Sequence, residues 1–128
     1  DPEKCCSIAE IARQQNVPKK FLEKIFQDLM RRGLIRSKRG SCGGYTLARM
    51  PDQISFYDVI EALEGPIAVN VCMNEELSCD LLPRCAMVSV WSEIQQKVTE
   101  VFTRTTLADL RRTPCRDNLT ASSLSSAA

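Results

Sequence analysis

Histidine is absent from all 128 residues, so no site built from this sequence alone can use an imidazole as base, acid or metal ligand. Also missing are a nucleophile beside a base, a phosphate-cradling glycine loop and a pair of carboxylates at a catalytic spacing, and an enzyme is not expected. No apolar run approaches the roughly 20 residues of a membrane-spanning helix, and no secretory leader is visible; together these predict a cytoplasmic protein with no membrane partner. Net charge is nearly absent too, since 17 basic against 16 acidic residues leave +1. That balance conceals an asymmetry. Residues 1–50 hold eleven Lys and Arg against five Asp and Glu, a net of +6, whereas residues 51–128 hold six against eleven, a net of −5. A basic N-terminal half is the footprint of a surface that faces phosphates, and the acidic remainder should face away or toward a partner.

The basic half reads as two helices and a hairpin. Ser7-Ile8-Ala9-Glu10 has the pattern of a capping box, and Ile8, Ile11 and Ala12 share one face of a helix running to about Gln15. Asn16 and Val17 make a turn. Pro18 pre-sets the backbone at a first helical position, Leu22, Ile25, Phe26 and Leu29 repeat at helical spacing, and Gly33 stops the helix. The period then changes to two. Leu34–Arg39 and Tyr45–Arg49 flank Gly40-Ser41-Cys42-Gly43-Gly44, which predicts two short strands joined by a glycine-rich tip. Paired helices often only build a core and charged hairpins are often only solvated, but both together, in this order and both basic, predict a winged helix that grips duplex DNA. Pro18, Lys19, Lys20, Phe21 and Glu23 then fall on the first turns of the recognition helix, with Lys20 and Glu23 placed for base edges and Lys19 for phosphate. On the wing, Arg39 is expected to reach the minor groove or nearby phosphates, Gly40 keeps the tip slim, and Arg36 and Lys38 are phosphate neighbours.

Further along, Ser55 can cap a helix through Glu64 that Gly65-Pro66 stops, and Thr106 can cap a short final helix, Leu107 to Arg112. Between them, from about Ala86 to Arg104, Trp91, Ile94, Val98, Val101 and Phe102 trace one apolar stripe, more than a small domain needs to cover one helix. A core helix would look similar. The preferred reading is a homodimer seam, because two-fold proteins match palindromic operators. The expected fold is therefore mainly α with a small β-hairpin wing: a winged helix-turn-helix plus a long C-terminal dimerisation helix. Residues 1–66 form the DNA-binding domain, whose first helix is expected to precede Asp1. Residues 67–85 form a cysteine-bearing loop, residues 86–112 the dimerisation helix and short final helix, and residues 113–128 a Ser- and Ala-rich disordered tail.

Cys72, Cys79 and Cys85 lie within fourteen residues of that loop. In a chain with no secretory signal they argue for a soft metal centre rather than for disulfides, and thiolates prefer zinc, Cu(I) or iron–sulfur clusters. Spacings of six and five intervening residues are looser than the two-residue clip of zinc fingers. Cys5, Cys6 and Cys115 are assigned no role.

Several of these segments carry a family resemblance. Arg39-Gly40-Ser41-Cys42-Gly43-Gly44-Tyr45-Thr46-Leu47-Ala48 resembles the wing signature of the Rrf2 family of bacterial transcription regulators, and Phe21-Leu22-Glu23-Lys24-Ile25-Phe26 resembles its recognition-helix motif. Asp58–Pro66, the three cysteines, Trp91 and Thr105–Leu110 match in order and approximate spacing. The resemblance implies a winged-helix homodimer with crossing C-terminal helices, and for the three-cysteine subgroup an iron–sulfur cluster that senses cluster supply, redox state or nitric oxide. Departures are local. Ser41 stands where the family commonly has Pro, with an unusual Cys42 beside it, and Val88 stands where cluster-biogenesis regulators carry a histidine. The fourth ligand is then expected outside the trio, across the dimer, with 2Fe–2S and 4Fe–4S both open. A zinc-bound or thiol-switch regulator, or a cluster carrier on the same scaffold, are the alternative functions.

Overall fold

A computed structural model describes residues 4–41 and 43–112. Cys42, Cys115 and the tail expected over 113–128 lie outside the described residues. The helices are α1 (Ile8–Gln15), α2 (Lys19–Arg31), α3 (Phe56–Glu64), α4 (Val88–Arg104) and α5 (Leu107–Arg112), and the strands are β1 (Ile35–Lys38) and β2 (Gly44–Leu47). Short 3-10 turns at Pro51–Gln53, Val71–Met73 and Leu82–Arg84 punctuate the connections.

Local chemistry explains most boundaries. Ser7 caps α1 by accepting from the Glu10 amide at 3.1 Å, but only this half of the capping box forms, because the Glu10 carboxylate accepts from Gln14 one turn on at 3.4 Å. Asn16 closes α1 in the left-handed conformation at φ 52°. Pro18 is the cap preceding α2 rather than its first residue. After α2, Gly33 turns left-handed at φ 68°, its amide donates to Met30 and that of Leu34 donates to Leu29, so two end carbonyls are satisfied. The Ser55 box on α3 is complete, since Ser55 Oγ accepts from the Asp58 amide and Asp58 accepts from that of Ser55, both at 3.0 Å.

β1 and β2 pair antiparallel with Ile35 opposite Leu47 and Lys38 opposite Gly44. A contact from far back in the chain extends this hairpin: the Cys6 and Tyr45 amides exchange backbone bonds of 3.0 and 2.8 Å. The approach is close enough that a Cβ on Gly44 would sit 2.6 Å from the Cys6 carbonyl oxygen. Packing of α1, α2 and α3 and of α2 on β1 builds the winged unit, around the buried side chains Leu22, Leu34 and Ile54. α4 lies against α3, with the Phe102 and Phe56 rings edge-to-face at 5.3 Å, and the chain then returns to the winged unit through bonds from the Phe56 amide to Thr105 and from the Leu107 amide to Ile54.

Candidate nucleic-acid interface and thiol cavity

The apolar face of α2 turns inward, with Leu22 buried and Ile25, Phe26 and Leu29 half-buried. Its opposite face is therefore fixed toward solvent, and there Lys20, Lys24, Gln27 and Arg31 recur at i, i+4, i+7 and i+11, all exposed. Lys24, Gln27 and Arg31 were missed by the sequence reading, although the inverse of the apolar period marks them. Lys19, Phe21 and Glu23 flank this ridge and are exposed, as is Pro18. Lys19 and Glu23 face each other at 3.8 Å with side chains 62% and 46% exposed, a pair weak enough to open when a ligand approaches. Arg31 is held by Asp28 at 3.1 Å.

The wing stands beside this helix because Tyr45 of β2 meets Phe26 of α2 edge-to-face, with ring centroids 4.9 Å apart. Arg36 and Lys38 on β1, then Arg39, Gly40 and Ser41, are exposed. Arg36, Ser37, Lys38 and Thr46 line an open, basic concave surface of about 390 Å³. Among the described residues, the positive side chains of the first half are thus concentrated on α2 and the wing, two elements locked together.

The three cysteines converge, although Cys72 and Cys79 are separated by six residues and Cys79 and Cys85 by five. Cys72 sits in the turn Val71–Met73, and Cys85 follows the turn Leu82–Arg84 just before α4. Each is half-buried and unbonded to another cysteine. All three line one cavity of about 170 Å³ whose wall on the helix side is Val88 and Trp91. Val88 therefore occupies the cavity wall but offers no donor atom. The loop leading in is tied to α4 by Gln95, whose amide nitrogen donates to the Ile67 carbonyl at 2.6 Å and whose oxygen accepts from the Val69 amide at 2.9 Å. Among the described residues, no three His, Cys, Asp or Glu side chains are gathered closely enough to hold a single metal ion.

The apolar stripe expected on α4 divides by exposure. Trp91, Val98 and Phe102 are half-buried, facing the chain's own turns and α3, whereas Ile94 and Val101 are exposed at 38% and 42%. Met87 and Val90, missed before, are exposed at 49% and 43% and extend the second stripe at positions 87, 90, 94 and 101, the 3-4-7 spacing of a helix seam. The apolar width of α4 thus divides into one edge covered by its own fold and one left bare.

The family model described as an iron-dependent transcriptional regulator, Rrf2, matches residues 1–113. The chain belongs to the Rrf2 family. Among curated relatives of this family, the transcriptional regulator CymR of Bacillus subtilis is 39% identical over 105 residues, covering 81% of this chain and 70% of CymR. The solved structure of CymR, the global cysteine regulator of B. subtilis, superposes with a TM-score of 0.67 at 38% identity, covering 84% of this chain and 78% of that one. T. potens IscR gives a TM-score of 0.68 at 34% identity over 86% of this chain and 71% of its own. The fold is accordingly the winged helix of Rrf2 regulators, and the protein is an HTH-type, DNA-binding transcriptional regulator rather than an enzyme. No helix among the described residues is long and apolar enough to cross a membrane.

Proposed function

We propose that this Rrf2 regulator acts in the cytoplasm as a homodimer on palindromic operator DNA, and that a soft centre at Cys72, Cys79 and Cys85 sets its operator affinity. The observation that carries the sensing half is the convergence of three half-buried thiols on one cavity walled by α4. An all-thiol donor set suits iron–sulfur chemistry, and a multi-iron cluster spreads its cysteine ligands over several metal atoms instead of drawing them round one ion. A cluster, 2Fe–2S or 4Fe–4S, is compatible with sulfurs not gathered round a single ion, and the spacing of the three cysteines, looser than a zinc clip, is what favours it over zinc. Such a cluster supplies a centre sensitive to redox state or nitric oxide, its fourth ligand coming from outside the trio.

Dimerisation is supported by the bare stripe Met87, Val90, Ile94 and Val101 and by the small number of buried apolar side chains among the described residues. Trp91 and Ile94 lie one turn apart on one helix, so that the wall of the thiol cavity and the proposed seam share a rigid element. Rearrangement at the thiols can then shift the spacing of two recognition helices, set near 34 Å or a multiple of it by the DNA repeat. Only a difference in operator affinity between the two states gives this regulatory force. In the proposed docking, Pro18, Lys19, Lys20, Phe21 and Glu23 enter the major groove with Lys24 and Gln27 behind them, while Arg36, Lys38, Arg39 and Gly40 lie along the backbone or minor groove.

A metal-free thiol switch is the second reading, favoured by the same ungathered sulfurs. Oxygen-free purification and reconstitution, absorption spectrum, metal analysis and operator titration of both forms separate the readings, with Cys79→Ser as control. A coloured protein whose affinity for operator changes on cluster loss and in Cys79→Ser supports the cluster. A colourless protein whose affinity follows thiol oxidation supports the switch. A coloured protein that binds no DNA in either form refutes the regulatory role and leaves a cluster carrier.

A further inference from the structure

Phe21 is the one aromatic side chain of this chain that is exposed, at 58%; the other six are half-buried. Helical geometry explains this. At about 100° per residue, Leu22, Ile25, Phe26 and Leu29 centre the inward face of α2 roughly 90° away from Phe21, which therefore stands at its margin. Nor does another ring of the protein stack on it, since the aromatic pairs are Phe26 with Tyr45 and Phe56 with Phe102. The phenyl group stands on the first turn of α2 beside the ridge that carries the exposed cations Lys20 and Lys24. A partner that covers an apolar ring while satisfying the cations beside it is polyanionic outside and apolar at one point inside.

The major groove of DNA offers this combination. Its phosphates meet the lysines, and its only apolar group on a base edge is the C5-methyl of thymine. A phenyl ring has no donor or acceptor, so it discriminates between bases only through such a group. Resting on the reading of α2 as the recognition helix, we infer that Phe21 is a specificity-determining residue that selects thymine at one operator position by packing on its C5-methyl.

Deoxyuridine tests this directly, because it pairs as thymine does and lacks only the methyl. Full-length protein is first used to enrich binding sites from a pool of random-sequence duplexes. Each thymine of the enriched site is then replaced by deoxyuridine, and affinities are measured at fixed salt for the unmodified protein and for Phe21→Ala. Burial of one methyl predicts about a fourfold loss for each methyl removed, at one position and its symmetry mate only. Phe21→Ala should bind the thymine and deoxyuridine sites equally. Equal binding of every deoxyuridine site by the unmodified protein overturns the inference, with no variant needed. So does an undiminished deoxyuridine penalty in Phe21→Ala. In both cases operator binding itself survives. Failure to enrich any sequence would instead remove the reading of α2 on which the inference rests.

Discussion

Gln95 is the side chain whose loss should tell most about how the cysteine loop is held. It is half-buried on α4 and bridges the Ile67 carbonyl at 2.6 Å and the Val69 amide at 2.9 Å, with a longer contact of 3.5 Å to Thr99. Leucine matches its bulk and helix preference while removing both hydrogen bonds. The partners are partly buried, so water replaces the side chain incompletely, and a net cost of about 1 kcal/mol for each bond gives roughly 2 kcal/mol for Gln95→Leu. For a fold of this size, an unfolding entropy of about 2 cal/mol/K per residue converts that cost into a Tm lowered by about 9 °C. Protein concentration must be held fixed, since the proposed dimer would melt in a concentration-dependent way. Hydrogen exchange locates the effect: the Val69 amide should exchange about tenfold or more faster, and amides inside α2 should change only by as much as global stability does. A Tm within 2 °C of the unmodified protein together with unchanged Val69 exchange would refute the clamp, and with it the argument that the path into Cys72 is fixed from α4.

Four other outcomes follow from the same geometry. Ile94→Asp should convert a dimer to monomers in sedimentation by placing a charge in the bare stripe, whereas Phe102→Ala should lower stability by loss of the contact with Phe56; the opposite pattern would return the seam to the Trp91 and Phe102 edge. Gly44→Ala pushes a methyl into the Cys6 carbonyl, so it should cost about 1–3 kcal/mol in urea unfolding and weaken DNA binding without touching a charge; unchanged stability would mean that the Cys6 and Tyr45 pairing is dispensable. Arg39→Ala should weaken binding and reduce the salt slope by about one unit if it neutralises one phosphate, and an unaltered slope places the wing tip away from DNA. Glu23→Ala should change the enriched binding site more than the affinity for unrelated DNA if, as proposed, Glu23 accepts from cytosine amines; recovery of the same site from both proteins would assign Glu23 to its pair with Lys19 alone.

The amino-acid sequence alone determined those features whose causes act within a turn or two of chain. Ser55 and Asp58 satisfy each other across three residues, Gly33 ends α2 through its own backbone, and Gly40 and Gly43 fall between two four-residue strands, so the order helix, helix, hairpin, helix, long helix, short helix was legible along with the basic first half. Periodicity also revealed that α4 carries more apolar surface than one small domain covers. It could not say which edge is covered, because Trp91 and Phe102 differ from Ile94 and Val101 only in what lies opposite them, and that is fixed by Phe56 and by the cysteine-bearing loop that follows α3. Glu10 shows the same limit at short range, where Gln14 competes for a carboxylate that the motif assigns to Ser7. Joining Cys6 to Tyr45, gathering Cys72, Cys79 and Cys85 onto one cavity beside Trp91, and tying Ile67 and Val69 to Gln95 all link residues far apart in the chain. Such contacts leave no local period to read. They exist only once the packing of α3, α4 and the wing has chosen their neighbours.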